Sequence, residues 1–163
     1  MTGYLLLIPF LAQMLIIGID EFGFHVRRGL PKWERIGHPL DTLTVLACFA
    51  FVLLVPYSTG TLWTYIGMAL FSCIFVTKDE FVHKECCPAS EQWLHALLFL
   101  NHPVVLTAAG LLWPLLSNGP TLSWVATLDQ PFIQTFFALQ VAFTALFLLY
   151  QIIYWNFVWK AAK

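Results

Sequence analysis

Five apolar runs limit what this chain can become: about Gly3 to Phe24, Pro39 to Pro56, Thr61 to Thr77, Glu91 to Leu116 and Pro131 to Trp159. A helix needs about 20 predominantly apolar residues to cross a bilayer, and inside it every backbone polar group must be bonded within the chain. The runs therefore predict an all-α integral membrane protein with five transmembrane helices, a single transmembrane domain over residues 1–163. Composition points the same way. The chain is 60% hydrophobic and 10% charged, where a soluble domain carries about a quarter charged residues. The first run lacks a positive flank and a small-residue cleavage site, so it reads as a structural helix rather than a secretory signal.

Cations set the expected orientation. Arg27, Arg28, Lys32 and Arg35 fall in the first interhelical loop, Lys78 and Lys84 around the third, and Lys160 and Lys163 at the end. The loops around Ser58 and Asn118 contain none. By the positive-inside rule the charged end is cytoplasmic. That places the N-terminus outside and the C-terminus inside, with a bacterial inner membrane as the expected location.

The acids and imidazoles gather at this same end. Eight of nine carboxylates lie there, Asp129 excepted, with four of five histidines; His102 lies deeper. They recur in order. Asp20-Glu21-Phe22, His25, Pro31, Glu34 and His38 are matched by Asp79-Glu80-Phe81, His83, Pro88, Glu91 and His95. The runs around them read as two antiparallel hairpins, repeats over 3–57 and 60–116, forming a four-helix bundle with a fifth C-terminal helix over 131–160. A parallel internal repeat of this kind has its pseudo-twofold axis along the membrane normal.

Residues four apart on a helix share a face, their Cβ atoms about 5–6 Å apart. Glu21 with His25, Glu34 with His38 and Glu91 with His95 have that spacing, and Glu80 with His83 the related i, i+3 spacing. These eight are the expected metal ligands. Di-iron and di-manganese bundles build their centres on a comparable plan, a likeness of construction only. Buried unpaired carboxylates cost several kcal/mol each, and bound divalent ions offset that cost. Mixed oxygen and imidazole ligands suit iron, zinc or manganese, and two ions are expected. Asp41 and His102 continue the Glu–His faces inward. Asp41 reads as a carboxylate orienting a ligand, and His102 as a ligand, a relay or a satisfied core histidine. Both His38 and His102 precede a proline, which kinks a helix.

Other polar positions read more plainly. Asp20, Asp79, Glu85, Arg27, Arg28, Lys32 and Lys84 mark the membrane–water boundary, and Trp33, Trp93, Trp155 and Trp159 anchor the interface. Gln13 and Gln151 are expected to pair between helices. Cys86 and Cys87 are adjacent, which suits loop thiols better than chelation of one ion.

The function expected is that of a membrane-embedded, metal-binding protein with a dinuclear Glu/His site at the cytoplasmic face. It would be an oxidoreductase or a metal-dependent hydrolase acting on a lipid-soluble substrate. The alternatives are a metal-ion or proton transporter and an assembly subunit with a structural metal. Expected partners are membrane lipids and a lipid-soluble small molecule. No basic run or stacking motif suggests nucleic acid.

Overall fold

The computed structural model describes residues 2–79 and 87–159. Five helices are long and apolar enough to cross a membrane: Gly3–Arg28, Lys32–Leu54, Thr59–Lys78, Ala89–Leu116 and Gln130–Val158. Their regular α-helical parts are α1 (Ile8–Ile19), α2 (Lys32–Leu54), α3 (Thr59–Phe75), α4 (Ala89–Leu116) and α5 (Gln130–Ile153). No strand is present among the described residues.

The largest difference from the expected spans is at α2, which starts at Lys32 rather than near Pro39. Pro31 caps it with φ −64° and ψ 160°, and Pro88 caps α4 with φ −66° and ψ 156°. Proline suits this place because the first helical turn has no internal acceptor for its N–H groups. The polar first turns thus become helical, and Glu34 and Glu91 move onto rigid elements. The helices also run through Pro39 and Pro103.

Helix α1 packs chiefly against α4, whereas α2 packs most extensively on α5 and also meets α3 and α4. The fifth helix is therefore integral to the bundle. Phe10, Phe49 and Phe137, from α1, α2 and α5, meet with ring centroids 5.5–5.7 Å apart. In a bilayer, where hydrocarbon supplies no hydrophobic drive for helix association, close packing and interhelical hydrogen bonds would carry it. Asn101 Nδ2 donates to Gln13 Oε1 at 2.8 Å, and the Thr42 hydroxyl to Gln151 Oε1 at 2.7 Å. Both glutamines thus bond across helices. Large apolar side chains face outward on all five spans, among them Leu15, Leu43, Ile74, Leu100 and Phe157. Such a surface suits hydrocarbon.

The first span ends on Gly29, at φ 77° and ψ 152°, a region open essentially to glycine alone. The Trp159 ring occupies the space a Cβ would need, and the Arg35 guanidinium sits 4.3 Å from that ring's centroid. Gly29→Ala should cost about 1–3 kcal/mol from backbone strain, with further loss from displacing Trp159. Reversible unfolding in mixed micelles measures it, and unchanged stability would contradict this tight turn.

Candidate metal centre

The polar residues meet where α1 ends, α2 and α4 begin and α5 ends. Just past α1, Asp20–His25 forms a π-helical turn closed by the Val26 N–H on the Glu21 carbonyl, five residues back. A π-turn aligns residues five apart, and such insertions are frequent at functional sites. Both Asp20 and Glu21 can therefore address His25. Its Nδ1 lies 3.2 Å from Glu21 Oε2 and its Nε2 lies 3.3 Å from Asp20 Oδ2.

Glu91 and His95 reach the same point from the first turns of α4. His25 Nε2 is 3.5 Å from Glu91 Oε1, and His95 Nε2 is 3.0 Å from Asp20 Oδ1. Asp20, His25, Glu91 and His95 each offer one ligand atom within 4.8 Å of the others, and all four are buried. This cluster could hold a metal ion. A second group, His25, Glu34 and His38, shares His25 with the first.

Protonation chemistry sharpens the picture. A carboxylate only accepts, so His25 Nδ1 carries the proton given to Glu21. The Nε2 lone pair then faces oxygens of Asp20 and Glu91, an arrangement that repels unless a cation or proton stands between them. Neither His25 Nε2 nor Glu91 Oε2 has a hydrogen-bond partner among the described residues. Glu21 is held from the other side by the Tyr150 hydroxyl at 2.9 Å and Trp155 Nε1 at 2.8 Å, both on Oε1. Metal-binding histidines commonly donate their second N–H to a carboxylate fixed in this way.

Several residues take places the spacing did not foretell. Glu21 orients His25, and Asp20 joins the four-residue group instead. Trp155 is 1% exposed, so it is a buried donor to Glu21 and not an interface anchor. Trp33 and Trp93 do face outward. Arg28 is no boundary marker either: its Nη2 bridges Glu34 Oε2 at 3.0 Å and Glu91 Oε1 at 2.7 Å. Asp41 accepts from Lys78 Nζ at 2.6 Å, so it forms an ion pair with the end of α3. His102 Nε2 meets Ser72 Oγ at 2.9 Å, and Ser72 meets Thr44 at 2.7 Å. That gives His102 a bonded partner outside the two groups. Glu80, His83 and Cys86 lie outside the described residues. Burial pushes the Cys87 thiol up to about 12, so it is a neutral thiol.

Asp20, Glu21, Glu34 and Glu91 are all buried, and the Arg28 guanidinium bridges two of them, Glu34 and Glu91. Burying so many carboxylates together is costly unless cations or protonated imidazoles lie among them, and a divalent ion would neutralise two of the charges.

A cavity of about 330 Å³ adjoins the cluster on the bundle side. Asp20, Glu21, His25, His38 and His95 form its polar end, and Phe10, Phe49 and Val105 its apolar far wall. The Trp155–Glu21 bond gives a direct check. Trp155→Phe leaves one buried carboxylate lone pair unmet and should cost about 1–3 kcal/mol, measured by unfolding in detergent; a neutral result would remove Trp155 from the site.

No protein-family model matches the chain, nor does any curated protein or solved structure.

Proposed function

We propose that the chain is an integral membrane protein that binds a divalent metal ion through Asp20, His25, Glu91 and His95, as the centre of an enzyme acting on a lipid-soluble substrate. The observation that carries this reading is the convergence of His25 Nε2 with carboxylate oxygens of Asp20 at 3.3 Å and Glu91 at 3.5 Å on one buried point. The ion is iron, zinc or manganese by the chemistry of its oxygen and imidazole donors. One ion fills the four-residue group. A second would use Glu34 and His38 and would have to share His25 or displace Arg28, so one tightly held ion is expected. With four protein ligands a catalytic ion needs a fifth position for a non-protein ligand, since a four-coordinate site is closed, and the adjoining cavity gives room for it. By the positive-inside rule the cations at this end support a centre at the cytoplasmic face of an inner membrane, with the N-terminus outside.

Elemental analysis of protein purified in detergent tests it. About one equivalent of a transition metal is expected per chain, lost in Asp20→Asn and in His95→Gln. Both are close to isosteric, so helical content measured by circular dichroism should stay native. Full metal content in both variants, or none in the native protein after incubation with iron, zinc and manganese, overturns the proposal. An absorption band that bleaches on reduction marks iron and redox chemistry, whereas bound zinc without such a band excludes redox chemistry at the ion and leaves hydrolysis as the reaction to assay.

One observation favours a second reading. The Arg28 bridge between Glu34 and Glu91 is the core of a purely polar lock in which protonated histidines balance the remaining carboxylates. In that case the native protein holds no metal, and the cluster only fastens the helix ends together.

A further inference from the structure

Helices α1 and α5 both line the cavity, yet α1 rests mainly on α4 and α5 mainly on α2. The seam between α1 and α5 is pinned on two sides. Toward the far wall Phe10 packs on Phe136 and Phe137 and Gln140 Nε2 meets Met14 Sδ at 3.3 Å; at the cluster Phe22 packs on Tyr150, and Tyr150 and Trp155 donate to Glu21. Between these pins lies Gly18, a cavity-lining residue around which an added Cβ would touch nothing within 4 Å. The cavity also reaches the outer surface along this seam: Met14, Phe22 and Phe143 line it and are 41%, 63% and 51% exposed. On a bundle whose spans face hydrocarbon, that opening faces lipid.

We infer that the gap at Gly18 is a lateral portal through which the chain of an uncharged, single-chain lipid reaches the cavity beside the cluster. The size argues for one chain. At about 30 Å³ for a water-sized group, 330 Å³ holds on the order of ten such groups, too few for two acyl chains. The remainder of the chain lies in the seam and the surrounding bilayer. The wall argues for an uncharged head. The carboxylates of Asp20 and Glu21 border the cavity and can accept a hydrogen bond from a hydroxyl, whereas a carboxylate head has no proton to give them. A neutral hydroxyl or carbonyl oxygen can meet the metal or a protonated imidazole. The inference deepens the proposed function by naming its substrate class, but occupancy of the cavity does not itself require the metal.

Gly18 supplies the test, because a larger side chain there enters open space and exchanges glycine for a better helix former. Full-length protein in nanodiscs is exposed to hexadecanol carrying a diazirine in its chain, irradiated, and mapped by mass spectrometry; metal content is measured on the same samples. Expected labelling falls on cavity-facing residues such as Thr144 and Val45. Excess unlabelled hexadecanol competes at least tenfold better than hexadecanoate. Gly18→Leu and Gly18→Phe reduce cavity labelling at least tenfold, with native metal content and native labelling at outward-facing Leu15. Labelling spread over outward residues, insensitive to competitor and to both Gly18 variants, overturns the portal. Equal competition by hexadecanoate overturns the uncharged head. Saturable, Gly18-sensitive labelling of a metal-free protein supports the portal while removing the metal centre, so the two failures are distinguishable.

Discussion

His25→Ala should abolish metal binding, lowering affinity by well over about 100-fold. Losing only a partner that orients a ligand histidine costs roughly 10–100-fold. His25 belongs to both groups of candidate ligands, so removing it leaves neither complete. Glu21→Gln is the graded companion. It keeps the shape of the group that accepts from His25 Nδ1 and weakens its charge, so metal affinity should fall within the 10–100-fold range without vanishing. His38→Ala removes one member of the second group alone and should leave the metal in the first group near one equivalent. Competition with a chromogenic chelator ranks the three. If His25→Ala binds metal as tightly as the native protein, the assigned ligands are wrong.

The second large effect is on stability. Arg28→Met should cost about 3–5 kcal/mol in metal-free protein, the usual consequence of removing one partner from a buried ion pair. Glu34 and Glu91 are both 0% exposed, and this change strips both of the guanidinium they share. The same change adds a negative charge to the net balance, which strengthens attraction for a divalent ion. Added metal should therefore restore part of the loss, by about 2.7 kcal/mol at a concentration 100 times the Kd. Unfolding of Arg28→Met with and without zinc or manganese reads both effects. Stability that is unaffected by the substitution would mean that Arg28 does not compensate these carboxylates. Rescue no greater than that of the native protein would mean that the ion and the guanidinium do not act on a common charge.

The π-helical turn at Asp20–His25 marks the boundary between what could be read early and what could not. An i, i+4 spacing singles out Glu21 as the partner of His25, and that contact forms. Only the widened turn brings Asp20 to Nε2 as well, and α-helical periodicity carries no trace of it. The duplicated Asp-Glu-Phe offered the one available hint, since the acid preceding Glu21 recurs as Asp79. For Tyr150 and Trp155 there was no hint. Aromatic residues near a helix end read equally well as interface anchors, and which way they turn depends on how α5 lies against its neighbours.

The amino-acid order by itself determined that five helices form and that their charged ends lie together, because these follow from local physics. An apolar run must satisfy its own backbone hydrogen bonds in hydrocarbon, and an alternating chain carries its odd loops to one end. It also marked out Glu21, His25, Glu34, His38, Glu91 and His95 as a group, together with Glu80 and His83, which lie outside the described residues. The tertiary structure alone decided the role of each: Asp20 beside a histidine Nε2, Glu21 behind it, Arg28 between two glutamates, and α5 closing one wall of a cavity. Those roles depend on contacts between residues as far apart as Glu21 and Trp155, where side chains a hundred positions distant come within 3 Å. No spacing along a single helix encodes such a meeting.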